Sequence, residues 1–183
     1  MIYFFILALV VIFVCLWLVG LYNKLVVVKN NAEKDLNNID IVLKQRHDEL
    51  PKLIDVCKGY MKYEQELLSK ITALRTEIFS ASGTAEKMTK DSQLSTALKS
   101  LFAVAENYPE LKANQNFLQL QSRISDLENK IAQFRVGYNS SANSYNILIE
   151  QIPYSFMAGI LNYTKKQMLA IPSEEKKDVK ISF

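Results

Sequence analysis

Two hydrophobic patterns divide the chain. From Ile2 to Tyr22 no side chain is charged, and Lys24 is the first cation. Beyond it, apolar residues recur at alternating steps of three and four, separated by charged and amide side chains. The first pattern suits a bilayer: the 21 residues from Ile2 to Tyr22, at about 1.5 Å each, reach roughly the 30 Å of a hydrocarbon core. In lipid only a helix keeps such a segment's backbone polar groups satisfied within itself, so residues 1–22 are expected to form a transmembrane anchor. A cleavable signal peptide would carry a basic start and a small-x-small cleavage site. Here Met1 runs straight into Ile2 and Tyr3, and no Ala-x-Ala follows. A buried soluble helix would be apolar all round, but it would need a second helix of matching character, and the remainder offers none.

The second pattern predicts helices that pack along one stripe. Ala32, Leu36, Ile39 and Leu43, then Leu50, Leu53, Cys57 and Tyr60, then Leu67, Ile71, Leu74 and Ile78 keep a single phase, as bundle and coiled-coil faces do. Period-two alternation is absent, so strands are not expected. The phase survives Pro51, whose ring removes the bond to the His47 carbonyl. A kink near residues 47–51, inside a helix reaching about residue 79, is therefore expected. Ser80-Ala81-Ser82-Gly83-Thr84 ends that helix. Asp91 and Ser92 offer capping oxygens to a second helix with Leu94, Leu98, Leu101, Ala105 and Tyr108 on its stripe, stopped by Pro109. Phe117, Leu120, Ile124, Leu127, Ile131, Phe134, Tyr138, Ser141, Tyr145, Leu148 and Ile152 mark a long third helix, closed by Pro153. Phe156, Met157, Ile160, Leu161 and Tyr163 suggest a last, shorter helix within 154–170, before a charged tail over 171–183.

Short connections make sequential helices antiparallel neighbours. The expected fold class is all-α: an N-terminal transmembrane helix, then an antiparallel bundle of three to four long helices over 23–170. An intermolecular coiled coil would also satisfy the stripes, so a homo-oligomer stays open. The breaks at 80–91 and 107–113 favour a chain folded back on itself.

Charge narrows the partners. The 22 Lys and Arg are interleaved with 19 Asp and Glu for a net +3, which lacks the clustered basic face of a nucleic-acid binder. Lys24, Lys29, Lys34, Lys44 and Arg46 follow the apolar segment. The positive-inside rule then puts the N-terminus outside and the bundle in the cytoplasm. Trp17 and Tyr22 suit the interfacial belt. Of the two cysteines, Cys15 falls in the apolar segment and Cys57 in the soluble part, so neither an internal disulfide nor a metal pattern can be built from them.

The chain resembles the LemA family of bacterial membrane proteins. The likeness runs from Tyr22-Asn23-Lys24-Leu25-Val26 through Ile39-Asp40, Lys44-Gln45-Arg46-His47-Asp48, Leu50-Pro51-Lys52-Leu53 and Val56-Cys57-Lys58-Gly59-Tyr60. Its most specific stretch is Ala105-Glu106-Asn107-Tyr108-Pro109-Glu110-Leu111-Lys112-Ala113, continuing into Asn116-Phe117-Leu118-Gln119-Leu120-Gln121. Glu128-Asn129-Lys130-Ile131, Arg135, Tyr138-Asn139, Tyr145-Asn146 and Pro153 follow in order. The chain departs from the family where Gln45-Arg46 replaces a frequent basic pair, and near Leu36, where the family often has tryptophan. The resemblance implies an anchored cytoplasmic bundle and an association with envelope maintenance; it supplies no reaction.

Several residues invite chemical readings. Arg46 and Glu64 stand where the stripe calls for apolar side chains, and buried charges need partners. Glu106, Glu128 and Arg135 are the candidates. One reading is an interior polar cluster of Arg46, Glu64, Glu128 and Arg135; the other is charges that set helix register or reach solvent at a bundle end. His47 is the only histidine, and Lys44 lies three residues before it, so the paired Glu-x-x-His motifs of a di-iron bundle are missing. A surface or capping role is expected there. Glu106, Tyr108, Pro109, Lys112, Asn116 and Phe117 suggest a recognition surface at one bundle end, or merely helix stop and start chemistry with Asn114 as a cap. Tyr138-Asn139 and Tyr145-Asn146 repeat after seven residues, as core tyrosines with bonded hydroxyls would. Phosphate loops, nucleophile elbows and paired carboxylates in a recognisable setting are missing, so no catalytic, cofactor-binding or metal-binding residue is assigned.

These readings point to a non-enzymatic, membrane-tethered scaffold. It would contact the lipid bilayer through residues 2–22 and an unknown protein partner through its bundle surface, and it would use no cofactor. A small-molecule or ion sensor with an interior polar pocket is the first alternative. A self-assembling membrane-shaping protein is the second.

Overall fold

The computed structural model describes residues 1–170, and every regular element among them is a helix. They are α1 (Ile2–Lys58), α2 (Gln65–Ser80), α3 (Thr84–Ala105), α4 (Pro109–Lys112), α5 (Gln115–Glu150) and α6 (Tyr154–Ile160). The protein is all-α, with a long apolar N-terminal helix leading into a helical bundle. The charged tail expected over 171–183 lies outside the described residues. Within α1 the apolar stretch is long enough to cross a membrane, and its side chains stand outward: Phe4 is 73 % exposed and Leu16 68 %.

Packing divides the described chain into two compact units, one of residues 1–37 with 136–168 and one of 38–135 with 169–170. α1 crosses residue 22 without interruption, so the boundary expected there is not marked in the backbone.

The unit formed by 38–135 is the bundle. Its core takes Leu50, Leu53 and Cys57 from α1, Leu68, Ile71, Leu74 and Ile78 from α2, Leu94, Leu98 and Leu101 from α3, Leu111 from α4, and Phe117 and Ile124 from α5. Ion pairs and bonds fix the directions. Arg75 and Glu77 of α2 meet His47 and Lys90, while Arg46 of α1 meets Asp91 of α3 and Glu128 of α5. α2 therefore runs against α1 and α3, and α5 runs against α1 and α3. Burial of Cys57 among these leucines pushes its thiol up from 9.0 to about 11, because the thiolate loses solvation there.

The first helix is shorter than its apolar stripe suggests. α1 stops at Lys58, and residues 59–64 turn the chain into α2, where Tyr60 and Met61 donate their amides to the Cys57 carbonyl. The stripe keeps phase across the turn because both helices bury it in the same core. Glu64, the polar interruption of that stripe, sits in the connection immediately before α2. Pro51, the expected kink, lies inside a helix that continues through it. Its missing N–H leaves the His47 carbonyl without its helical donor, and Arg75 Nε of α2 donates to that carbonyl at 3.0 Å. Arg75 Nη2 also lies 3.3 Å from His47 Nδ1, and the His47 ring meets Phe79 edge-on, with centroids 4.4 Å apart.

The other unit holds residues 136–150 of α5 against the first part of α1. Leu25, Tyr145, Leu148, Ile149 and Ala158 form its core, and Ser141 donates to Asp35 at 2.5 Å. α6 ends after seven residues, earlier than the 154–170 span expected. Asn162 takes a positive φ of 52°, with Tyr163 N–H bonded to Ala158 O and Asn162 N–H to Gly159 O, the paired bonds of a Schellman cap. The following segment is held along α5 by side chains. The Asn146 amide donates to Lys166 O at 2.9 Å and accepts from Lys166 N at 2.8 Å, while the Tyr138 hydroxyl donates to Gln167 O at 3.0 Å.

Two outcomes are expected. Replacing Arg75 with Met strands the His47 carbonyl and costs about 1–3 kcal/mol. Adding Pro51→Ala restores the helical donor and recovers most of that loss in urea unfolding of the full chain; equal losses in the single and double variants would refute the pairing. Folded Cys57 should alkylate at pH 8 about 100-fold more slowly than the unfolded chain, as a thiol pushed up to about 11 implies. Because the folded value is the higher one, this thiol's stabilising contribution is present below pH 9 and lost as pH rises through about 11. Alkylation at the unfolded rate would show that the site opens.

Candidate functional site: a buried ion-pair cluster and an open groove

Inside the bundle, five polar side chains from three helices converge. Arg46 projects from α1 and is 1 % exposed; Asp91, on α3, is also 1 % exposed; Arg135, on α5, is 4 % exposed. Asp91 lies between the two guanidiniums, one carboxylate oxygen paired with Arg46 Nη2 and the other with Arg135 Nη2. Arg46 Nη1 reaches Glu128 of α5 at 2.5 Å and Ser95 of α3 at 3.1 Å, and the Ser95 hydroxyl donates to Glu128. Burial pulls the Arg46 guanidinium below its usual value, opposed by the charge of Glu128 and its hydrogen bond and reinforced by nearby Arg135. Two cations thus face two carboxylates with matching formal charge, the arrangement that makes buried charge tolerable.

The cluster differs from the expected set. Glu64 is not part of it: it accepts from the Tyr108 hydroxyl at 3.4 Å, and desolvation, then the charge of Glu64 and its hydrogen bond, raise the tyrosine's pKa. Glu106 lies on the surface, paired with Lys112. Asp91 and Ser95 take the central places. Asp91 was expected as a helix cap, but α3 begins at Thr84, which leaves Asp91 two turns inside. A pattern in the sequence does point to it: stepping back from Leu98 by four and three passes Leu94 and lands on Asp91. Near the cluster, Glu49 is 5 % exposed and paired with Lys52 at 3.2 Å and Arg123 at 3.1 Å. The space bounded by Leu43, Arg46, His47 and Leu94, on the side of Arg46 that faces α2, is too small to admit a water molecule.

The expected recognition surface separates into two parts. Glu106, Pro109, Lys112 and Asn116 are exposed and Tyr108 is half-buried. Phe117 is buried at 2 % exposure and meets Phe102 edge-on in the core, so it offers no surface. Asn114 caps α5, its side-chain oxygen accepting from Asn116 and Phe117 amides at 2.9 and 3.2 Å, while its amide donates to the Tyr60 hydroxyl. Pro109 opens α4 instead of stopping the second helix, which ends at Ala105. Gly59, Tyr60, Lys62, Asn107, Tyr108, Pro109 and Glu110 line an open groove of about 490 Å³. Among the described residues, no three His, Cys, Asp or Glu side chains are grouped to hold a metal ion.

A helical bundle with an ion-paired interior and an apolar N-terminal helix defines the structural class. Within that class, the chain belongs to the LemA family, whose model matches residues 35–183. It is 32 % identical to Protein LemA of Metamycoplasma hominis over 129 residues, covering 70 % of this chain and 59 % of that protein. It is also 23 % identical to Magnetosome protein MamQ 2 of Paramagnetospirillum magneticum over 172 residues, 80 % of this chain and 63 % of that one. Magnetosome protein MamQ of Magnetospirillum gryphiswaldense is 22 % identical over 170 residues, 79 % of this chain and 62 % of that one. The chain therefore spans about three-fifths of the length of these relatives.

The cluster makes a sharp prediction. Asp91→Ala leaves two guanidiniums facing each other without their shared carboxylate and should cost about 3–5 kcal/mol in urea unfolding. The triple variant Arg46→Met, Asp91→Leu, Arg135→Met should return to within about 1 kcal/mol of the parent or exceed it. A triple variant as unstable as Asp91→Ala would mean that packing, and not unpaired charge, sets the loss.

Proposed function

We propose that this protein is a membrane-tethered helical scaffold that presents its bundle to a protein partner and performs no catalysis of its own. The observation that carries this reading is the fate of the polar residues. Arg46, Asp91, Glu128 and Arg135 are engaged with one another in ion pairs, and the open groove beside Tyr108 and Pro109 offers mixed aromatic and charged side chains for contact. The lack of space beside Arg46 weighs against the interior-pocket sensor. Relatives as different in setting as a mycoplasma LemA and a magnetosome MamQ suit a reusable scaffold better than a dedicated catalyst. In this reading residues 2–22 cross the bilayer once, and the cations from Lys24 onward support a bundle on the cytoplasmic side. Tethering raises the effective concentration of a partner held at the same membrane, so a weak groove contact suffices.

The test is proximity labelling in the native cell, with the labelling enzyme fused after Phe183. Wild type should enrich a reproducible set of cytoplasmic-side proteins. Asn107→Arg with Glu110→Arg, both exposed in the groove, should cut that enrichment about tenfold, a loss near 1.4 kcal/mol, while the chain stays in the membrane fraction. Self-labelling alone would overturn the scaffold reading, and enrichment of extracytoplasmic proteins would overturn the orientation.

A further inference from the structure

α6 has two unlike faces. Tyr154, Met157 and Ala158 pack on Leu25 of α1 together with Leu148 and Ile149 of α5. Away from that contact, Phe156 is 70 % and Ile160 77 % exposed, and Ile152, just before the helix, is 79 % exposed. Steps of four put Phe156 and Ile160 along one edge of α6. Large apolar side chains grouped this way mark a surface that something covers.

The position of α6 says what covers it. Leu25 lies three residues beyond Tyr22, the end of the uncharged stretch, or about 5 Å along the helix axis. Leu21, inside that stretch, is only 7 % exposed, whereas Leu16 and Leu18 are 68 % and 41 % exposed. An isolated helix does not hide its own leucine to this degree, so chain outside α1 reaches the last turn of the stretch. The same end is cationic and aromatic. Lys29 stands over the Tyr163 ring at 5.0 Å and Lys166 over the Tyr145 ring at 5.4 Å. Lys24 is exposed, and Lys165 is 62 % exposed and paired with Glu150 at 2.5 Å. With Glu33 and Glu150, these four lysines leave the rim net positive. Aliphatic and aromatic side chains flanked by lysines suit the boundary between headgroups and acyl chains.

We propose that the Phe156–Ile160 edge of α6, with exposed Ile152 just before the helix, is a second lipid contact, seated in the headgroup region beside the membrane-spanning part of α1, with the neighbouring lysines facing anionic headgroups. The contact gives the end of α5 a foothold on the bilayer independent of the span itself. It rests on residues 2–22 lying in a bilayer, and the test separates the two.

The full chain is used, with Cys15→Ala and Phe156→Cys, and the new thiol carries an environment-sensitive fluorophore. Cys57 stays, being buried and poorly ionised. A matched sample carries the label at Tyr63→Cys, in the α1–α2 connection, where Tyr63 is 91 % exposed. Both are reconstituted in phosphatidylcholine–phosphatidylglycerol vesicles with or without brominated acyl chains. Trp17, the single tryptophan, reports the span in unlabelled protein. Brominated lipid should quench the label at 156 several-fold more than the label at 63, as expected for a side chain buried about 5–10 Å into the interface. Adding Ile152→Glu and Ile160→Glu should reduce that quenching to the level at 63. Quenching of Trp17 without quenching at 156 overturns the second contact and leaves the span standing. No quenching at either place overturns both. Protection of the 156 label that appears only at high protein-to-lipid ratio, with self-quenching between labels, assigns the edge to a second copy of this chain and overturns the lipid contact.

Discussion

The bundle depends on one carboxylate. Asp91 joins α3 to α1 through Arg46 and to α5 through Arg135, and Glu128 and Ser95 complete the set. Apolar stripes alone define register poorly, because one leucine layer substitutes for another when a helix slides by a turn or a heptad. A buried charge admits no such slip. Moving α3 by one turn would set Asp91 against leucines and leave two guanidiniums unpaired, at a cost well beyond the loss of a contact. The leucine layers supply most of the burial, and the ion pairs choose which layers meet. This is the use of buried polar groups best attested in coiled coils, where they trade stability for a single alignment.

The same logic recurs where the chain departs from regular helix. Pro51 frees a carbonyl that Arg75 satisfies from the next helix, so a residue that would ordinarily weaken α1 instead ties it to α2. Asn162 ends α6 in a left-handed turn, and Asn146 and Tyr138 then bond the backbone of the non-helical segment that follows. Non-helical backbone packed against a helix needs such partners. Arginine, asparagine and tyrosine side chains that look chemically promising in a sequence are consumed here in holding backbone and register.

This explains which parts of the structure were legible in advance. The class, the long apolar first helix, the full extent of α5 and the Asn114 cap follow from periodicity and capping chemistry. The end of α1 does not, because two antiparallel helices sharing one core carry one continuous phase, and a six-residue turn beginning at Gly59 and ending at Glu64 fits inside it. Hydrophobicity alone puts Phe134 on the stripe, yet it is 36 % exposed while Arg135 takes the interior. From Ile131 a step of four and then three is as good a helix face as three and then four, and only the presence of Asp91 across the core decides between them. Phe117 misled in the opposite sense, since its place beside exposed Lys112 and Asn116 hides the fact that its own helix position faces Phe102. Pairings of residues 44 or 82 positions apart in the chain leave no trace in local spacing.

A core locked by ion pairs bears on what such a protein can do. Ligand sensing through the interior would require breaking the Asp91 set, and each unpaired charge would oppose the change by several kcal/mol, more than a small ligand's differential contacts ordinarily supply. A rigid bundle loses little conformational entropy when its surface is covered, so even a modest groove retains most of its contact energy as affinity. Rigidity in the core and contact at the surface therefore belong together. At the groove itself the Tyr60 hydroxyl is held by Asn114 and the Tyr108 hydroxyl by Glu64, so its aromatic side chains are fixed by local hydrogen bonds.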